Sequence, residues 1–427
     1  MSKVAVIGAG AMGLATAYHL QKAGHQVEVF EADKVAGGMA AHFDFEGISL
    51  ERYYHFICKA DQPTFELLAE LGLSKALRWR DTSMGYFYQG RHYIWGNPFA
   101  LLRFPHLDLI SKIRYGLMMF ISTKRSDWSK LDKLRADVWI KAWCGERAWK
   151  VLWEKLFSLK FFEFAGDLSA AWIWTRIKRV GTSRRSLMQE EMGYIEGGSE
   201  VLIRRLVERI EEIGGKVHLA TPVSEIHIDQ GAVTGLTAAG ERKAYDSVIS
   251  TVPLPFVPRL IPGLPHDMRA QYEALKNIGV VCVVHKLRKP VTQHFWLNVN
   301  DDRIEVPGIV EFSRLRDFGN DHIVFLPYYM PTTHPKFSQS DEFFVQESYS
   351  YLKLLNVDLT DGDRLATHIS RLRYAQPICP PRYLESVPPV ATRIRGLQIA
   401  DTSSYYPEDR GISEGVRLAK EMAAQVQ

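Results

Sequence analysis

Cysteine is scarce in this chain: Cys58, Cys144, Cys282 and Cys379 are the only four in 427 residues, and no two form a CxxC pair. That spacing provides neither a zinc-ligand set nor a disulfide framework, and a reduced, cytoplasmic setting is expected. Long apolar runs are also missing. No stretch approaches the ~18 apolar residues of a membrane-spanning helix, and the opening MSKVAVIGAG lacks the charged and cleavable apolar regions of a signal peptide. Charge of one sign does not dominate. The 53 Lys and Arg nearly balance the 49 Asp and Glu, for a formal net charge of +4. With no basic tail or zinc-finger spacing, nucleic acid is not an expected partner. Ser49, Ser199 and Ser413 lack a GxSxG setting, and the 14 histidines show no HExxH or similar spacing, so no metal is expected. Internal repeats and low-complexity tracts are absent.

What is present is an ordinary globular composition, 46% hydrophobic and 24% charged, and length for roughly two or three domain-sized units. Lys3 to Ile7 is a β-branched run, Leu14 to Ala23 has helical character, and His25 to Phe30 alternates as a strand ending at Glu31-Ala32. Between the first strand and the helix stands Gly8-Ala9-Gly10-Ala11-Met12-Gly13. In such a loop the first glycine makes the turn, the second admits a pyrophosphate, and the third lets the helix pack on the sheet. The helix N-terminus then faces the phosphates, and Glu31 is placed to accept from ribose hydroxyls. The competing reading, a glycine turn with no ligand, does not account for that context. The fingerprint alone does not separate NAD from FAD.

Residues 97–190 change texture, with long helical patterns rich in Trp, Phe, Lys and Arg. From Tyr194 the α/β pattern returns. An amphipathic helix spans Glu200 to Ile213, and strands follow at Lys216 to Leu219, Ser224 to Ile228, Ala232 to Ala238 and Asp246 to Thr251. From Pro253 to about Arg371, strands and helices mix as in a unit built on an antiparallel sheet. The chain ends with a strand at Leu397 to Ala400, a loop, and a helix from Ile412 to Ala424. Asp401 can accept from a hydroxyl-rich chain. Gly411 allows close backbone approach, and the N–H groups of Ile412 and Ser413 open the helix toward whatever lies there. An ordinary strand-loop-helix finish is the alternative.

These segments resemble the FAD-dependent amine oxidase, protoporphyrinogen oxidase and phytoene desaturase superfamily. The glycine loop and Glu31 are followed by a second glycine turn, Gly37-Gly38-Met39-Ala40, with Met39 where the family usually has Arg. Gly193 to Ser199, Thr221-Pro222-Val223, Ile249 to Pro253, and Gly396 to Asp401 with Gly411-Ile412-Ser413 resemble further family segments, in order. The resemblance implies non-covalent FAD, with Gly8, Ala9, Gly10, Ala11, Met12, Gly13, Glu31, Ala32, Gly37, Gly38, Met39, Val223, Thr251, Asp401, Gly411, Ile412 and Ser413 at the cofactor. It implies an α/β fold: a discontinuous Rossmann-type FAD domain of residues 1–96, 191–260 and 372–427. A mixed α+β substrate domain then has a helical insertion at 97–190 and a sheet at 261–371.

Catalytic candidates are His55, an acid or base near the flavin or a core histidine; Tyr406, a wall of the substrate cavity; and Arg259. Aligned through Pro253, Arg259 stands where amine oxidases carry a lysine, which argues against simple amine oxidation by molecular oxygen. Cys379, a conceivable flavin attachment point, reads better as structural. The aromatic stretch from Trp139 to Trp174 reads mainly as core. Leu107 to Ser122 places Leu109, Ile113, Leu117 and Phe120 on one face beside Lys112 and Arg114. It is either a buried amphipathic helix or an interfacial one making peripheral contact with the inner face of the membrane. The leading expectation is an FAD-dependent oxidoreductase, abstracting hydride from or desaturating a bulky, apolar or lipid-linked substrate. The alternative is a flavin-dependent isomerase of the UDP-galactopyranose mutase type, kept open by Arg176, Lys178, Arg179, Arg184 and Arg185. A non-catalytic flavin-binding protein is third.

Overall fold

The computed structural model describes residues 1–426. Strand Lys3–Ile7, helix Ala11–Lys22 and strand Gln26–Phe30 form the expected βαβ unit. Their strands sit in a five-stranded, all-parallel sheet ordered Lys216–His218, Gln26–Phe30, Lys3–Ile7, Ser247–Ser250, Leu397–Ile399. A parallel sheet covered on both faces needs apolar residues on both. Val4, Ala5 and Val6 are accordingly all buried, and helices Ala11–Lys22, Glu200–Glu212 and Ile412–Ala424 cover one face. The antiparallel meander Val223–Asp229, Ala232–Ala238, Glu241–Ala244 and helix His266–Ala274 share the core of the other face.

The second body is a seven-stranded sheet ordered Arg364–Pro377, Asn277–Leu287, His322–Met330, Gly308–Glu311, Trp296–Asn300, Met84–Tyr88, Arg91–Trp95. Three expected boundaries move. The hairpin Met84–Trp95 belongs to this sheet rather than to the FAD unit, because Met84–Tyr88 pairs in parallel with Trp296–Asn300. Strand Arg364–Pro377 runs past 371. Met268 and Tyr272, beyond 260, pack into the core of the nucleotide-binding sheet.

Residues 98–182 are mainly helical, and the expected helical insertion to 190 stops short because Arg184–Ser186 and Gln189–Ile195 are strands; Trp139, Trp149, Phe157, Phe161, Trp172 and Trp174 are buried in one cluster. Tyr406 is in this cluster too. Its hydroxyl bonds Ser169 Oγ at 2.6 Å and Asp132 Oδ1 at 2.5 Å, tying the C-terminal loop to the helical layer. Cys379 is buried beside it. Helix Leu109–Lys124 departs from the buried one of its two expected readings. It turns Ser111, Met118 and Ser122 inward, and Leu109, Ile110, Ile113, Leu117 and Phe120 are 49–69% exposed. No helix among the described residues is long and apolar enough to cross a membrane.

Candidate active site

One cavity of about 1370 Å³ runs from the glycine loop into the helical layer. Single-ligand pockets usually hold ~300–1,000 Å³, so this one has room for a dinucleotide and a second ligand. At one end the loop is held open by its neighbours. Gly37 N–H donates to Ala9 O at 2.8 Å, and Ala9 N–H to Glu31 Oε2 at 2.7 Å. Glu31 Oε1 accepts from Asp33 N–H at 2.9 Å. The carboxylate is thereby fixed beside the loop, and each oxygen keeps a lone pair for a hydroxyl. Ala9 itself does not line the cavity and serves as a brace.

The glycines separate into two kinds. A Cβ on Gly13 would fall 2.0 Å from Gly8 O, so helix packing requires this glycine. A Cβ on Gly10 would meet nothing closer than 4.0 Å, so the protein itself leaves that space empty, beside an N-terminus that no side chain caps. That arrangement fits a pyrophosphate. Gly411 is alike: its φ of −162° is open to any residue, and a Cβ would approach only Arg179 Nη2, at 3.9 Å. Beyond it, Ser413 Oγ is buried and unpartnered in the cavity lining. The residues present therefore fit FAD along the length of the cavity.

Gly37, Gly38, Met39, Ala32 and Val223 line the same cavity. Thr251 lines it while its hydroxyl donates to Ile7 O at 2.9 Å. Asp401 reaches the lining, but its oxygens already accept from Ser403 N–H at 2.7 Å and Leu254 N–H at 2.8 Å. Burial pushes its carboxyl up, and those two donors oppose the shift. Asp401 thus ties its own loop to the segment at Leu254 first, with spare lone pairs for a hydroxyl second.

His55 lies in the lining with Nδ1 buried and unpartnered. Burial holds its pKa below the ordinary value, against the pull of Glu51, so the ring is neutral near pH 7. Burial alone would push Glu51 up, but His42, the Ser199 N–H and Arg316 hold its carboxyl down at about 2. Arg259 sits exposed on the cavity rim, on the short helix Val257–Leu260 that follows the nucleotide-binding sheet, and not at the centre. Tyr406 is not in the lining at all; its neighbour Tyr405 is. The two catalytic expectations are corrected for different reasons: Arg259 is carried on a helix at the rim, and the Tyr406 side chain turns from the loop after Asp401 into the helical core. Of the five basic residues read as a possible phosphate pocket, Lys178 donates to Arg125 O. Arg179, Arg184 and Arg185 pair with Asp61, Glu190 and Asp81. Arg176 alone keeps unpartnered nitrogens, Nε and Nη1.

The sequence reading passed over Lys160 and Arg410 as cavity residues. Lys160 lies in the lining among Leu156, Phe157 and Phe161. Burial, with Arg176 and Arg410 nearby, lowers its pKa to about 7 against the opposing pull of Asp409. The available signal was a lysine between Leu159 and Phe161 near the end of helix Glu154–Phe161.

Among the described residues no cluster of acidic, His or Cys side chains could hold a metal. A nucleotide-binding parallel sheet, a second sheet and a shared cavity between them define a two-part flavoenzyme architecture. The profile of the flavin containing amine oxidoreductase family matches residues 13–366, and the chain belongs to that family, with FAD as its cofactor. It is similar to zeta-carotene desaturase of Synechocystis sp., 24% identical over 84% of this chain and 78% of the relative. It is also similar to a 15-cis-phytoene desaturase of Glycine max, 25% identical over 65% of this chain, and spans only 52% of that relative's length. A solved structure of reduced UDP-galactopyranose mutase shares the fold, with a TM-score of 0.74 at 16% identity, covering all of this chain and 96% of the other.

Proposed function

We propose that the protein is an FAD-dependent oxidoreductase that takes hydride from, or desaturates, a bulky apolar or lipid-linked substrate reached from a membrane surface. The carrying observation is that the cavity continues from the glycine loop to an aromatic wall and on to helix Leu109–Lys124. Tyr115, Met119 and Phe120 of that helix line the cavity, while Phe120 and its neighbours also face outward. Bound FAD supplies the hydride acceptor. Gly10 and Glu31 hold its nucleotide half, and Gly411 to Ser413 hold its flavin half. Trp153, Phe157 and Phe161 exclude water and align the apolar chain. His55, neutral and with Nδ1 unpartnered, is the group placed to accept a proton. The test is anaerobic mixing of the FAD-loaded protein with candidate polyisoprenoids. Loss of the oxidised-flavin absorbance is expected.

A second reading, a non-redox isomerase, is favoured by Arg176 and its unpartnered nitrogens in the cavity. Turnover without bleaching, only after dithionite reduction, would select it and reject the first.

FAD is held without a covalent bond in this reading: Cys379 is in the helical core, and Cys282, which reaches the cavity lining from the second sheet, is buried with its thiol pushed well up, away from the reactive thiolate. Acid or heat is expected to release all of the flavin; flavin retained on a denaturing gel would contradict this.

A third expectation concerns Gly411. In this reading the helix start at Ile412 and Ser413 faces the edge where negative charge develops on reduction, and fixed N–H donors stabilise it. Gly411→Val leaves the backbone unstrained but pushes the ligand away. Losing one hydrogen bond to a charged group, ~1.5–3 kcal/mol, lowers a two-electron midpoint potential by roughly 30–60 mV. Spectroelectrochemical titration of both FAD-saturated proteins reads this, and equal potentials would remove the helix from the flavin.

A further inference from the structure

The inner end of the cavity carries positive charge that the glycine loop does not need. Of the cavity's cations, Arg179, Arg184 and Arg316 each have a carboxylate of their own, Asp61 at 2.8 Å, Glu190 at 2.9 Å and Glu51 at 3.7 Å. The deeper group is different. Arg176 Nη2 donates to Asp409 at 2.7 Å, while its Cζ stacks 3.8 Å over Trp172. Arg410, the next residue after Asp409, donates to Tyr329 Oη at 2.8 Å and to Ala375 O. Lys160 Nζ lies 5.2 Å over the same Tyr329 ring, with no hydrogen bond or ion pair among the described residues. Three cations therefore share one carboxylate in an enclosed, aromatic-walled space. Uncompensated charge at such depth is costly, and it persists where a ligand completes it.

We propose that Lys160, Arg176 and Arg410 receive a phosphate group on the substrate, making the substrate a lipid phosphate and not a hydrocarbon. This rests on the apolar-substrate reading above. Two surplus positive charges match a dianionic phosphate monoester, whereas a carboxylate would leave one unmatched. The aromatic wall beside the cluster takes the first apolar segment of the chain. The phosphate anchors one end, which fixes the distance along the chain at which a bond reaches the flavin half of the cavity. An anion also favours the charged form of Lys160, so the ammonium is retained on binding.

The test uses the FAD-loaded full chain and perturbation of the flavin absorbance as the binding signal. Four probes are titrated: farnesyl phosphate, farnesoic acid, farnesol and inorganic phosphate. Farnesyl phosphate is expected to bind about tenfold or more tightly than farnesol, with farnesoic acid between. In Lys160→Met that advantage should shrink about tenfold while farnesol affinity is unchanged. Asp409 keeps its bond from Arg176 when Lys160 is lost, so the substitution strands no buried charge, and far-UV and FAD content should match wild type. Arg410→Gln is the second variant and should reduce the same preference.

Equal binding of farnesol and farnesyl phosphate would overturn the phosphate proposal and leave the apolar-substrate reading standing. Inorganic phosphate binding as tightly as farnesyl phosphate would overturn the lipid part, and with it that reading. A preference for farnesyl phosphate that survives in both variants would move the anion site elsewhere and overturn the assignment.

Discussion

Gly10→Val is expected to give a folded, colourless protein, and Gly13→Ala a destabilised one. The two glycines stand three residues apart, Gly10 at the N-cap and Gly13 in the first turn of helix Ala11–Lys22, and the difference lies in what surrounds them. At Gly10 the backbone has a φ of −71° and ψ of 173°, which valine adopts freely, and no protein atom stands closer than 4.0 Å to a new Cβ. The side chain therefore harms only what the loop binds. Losing two N–H bonds to a pyrophosphate at ~1.5–3 kcal/mol each weakens FAD binding by on the order of 10²–10⁴. At Gly13 a Cβ would overlap Gly8 O at 2.0 Å and crowd Thr251 Oγ1 at 2.9 Å. Helix and strand must separate, at a cost of about 1–3 kcal/mol. Because bound FAD itself stabilises the native state, each variant is compared with deflavinated wild type. Thermal unfolding should show Gly10→Val level with that reference and Gly13→Ala below it. Stoichiometric FAD in Gly10→Val would remove the pyrophosphate from this loop.

Legibility in the sequence followed how locally each feature is determined. Strands Lys3–Ile7 and Ala232–Ala238 and helix Ile412–Ala424 lie where pattern and turn residues place them, because β-branched runs, glycine turns and amphipathic spacing act over a few residues. The hairpin Met84–Trp95 was assigned to the wrong body because its partner strand, Trp296–Asn300, lies about two hundred residues away, and no local signal reports that pairing. Tyr406 was misread because a residue in a loop beside the cavity can face either way. The hydroxyl of Ser169 and the carboxylate of Asp132 decide it. The charged floor of the cavity was half visible. Arg176 was noted among basic neighbours, but only the fold shows that Lys178, Arg179, Arg184 and Arg185 are satisfied elsewhere.

Helix Leu109–Lys124 is where the structure removes one of two readings the sequence left open, and it yields the other large expected effect. Its leucine and isoleucine stripe points out, and the smaller or more adaptable Ser111, Met118 and Ser122 point in. The inner contacts are specific: Trp174 Nε1 donates to Ser122 O at 2.9 Å, and Cys144 Sγ meets Met118 Sδ at 3.4 Å. Phe99 and Leu102, on the preceding helix, extend the exposed apolar surface, as does Leu187. A patch of this size marks an interaction site. Across residues 97–125 Arg103, Lys112, Arg114, Lys124 and Arg125 stand against Asp108 alone, and under the proposed membrane-surface reading the partner would be an anionic bilayer. Wild-type protein is expected to sediment with vesicles containing anionic lipid. Part of that binding should fall as salt screens the cations, since the Debye length is only ~10 Å at 0.1 M, and part should persist through apolar insertion. Leu117→Asp with Phe120→Asp removes two side chains worth ~1.5–3 kcal/mol each on burial and adds charge, so partitioning should drop at least ~100-fold. The two residues are 49% and 59% exposed, so thermal stability and FAD content should stay at wild-type values. Sedimentation unaffected by the double variant would show that the patch does not meet the bilayer. Loss of folding would show that the helix is held by its outer face, against the packing observed.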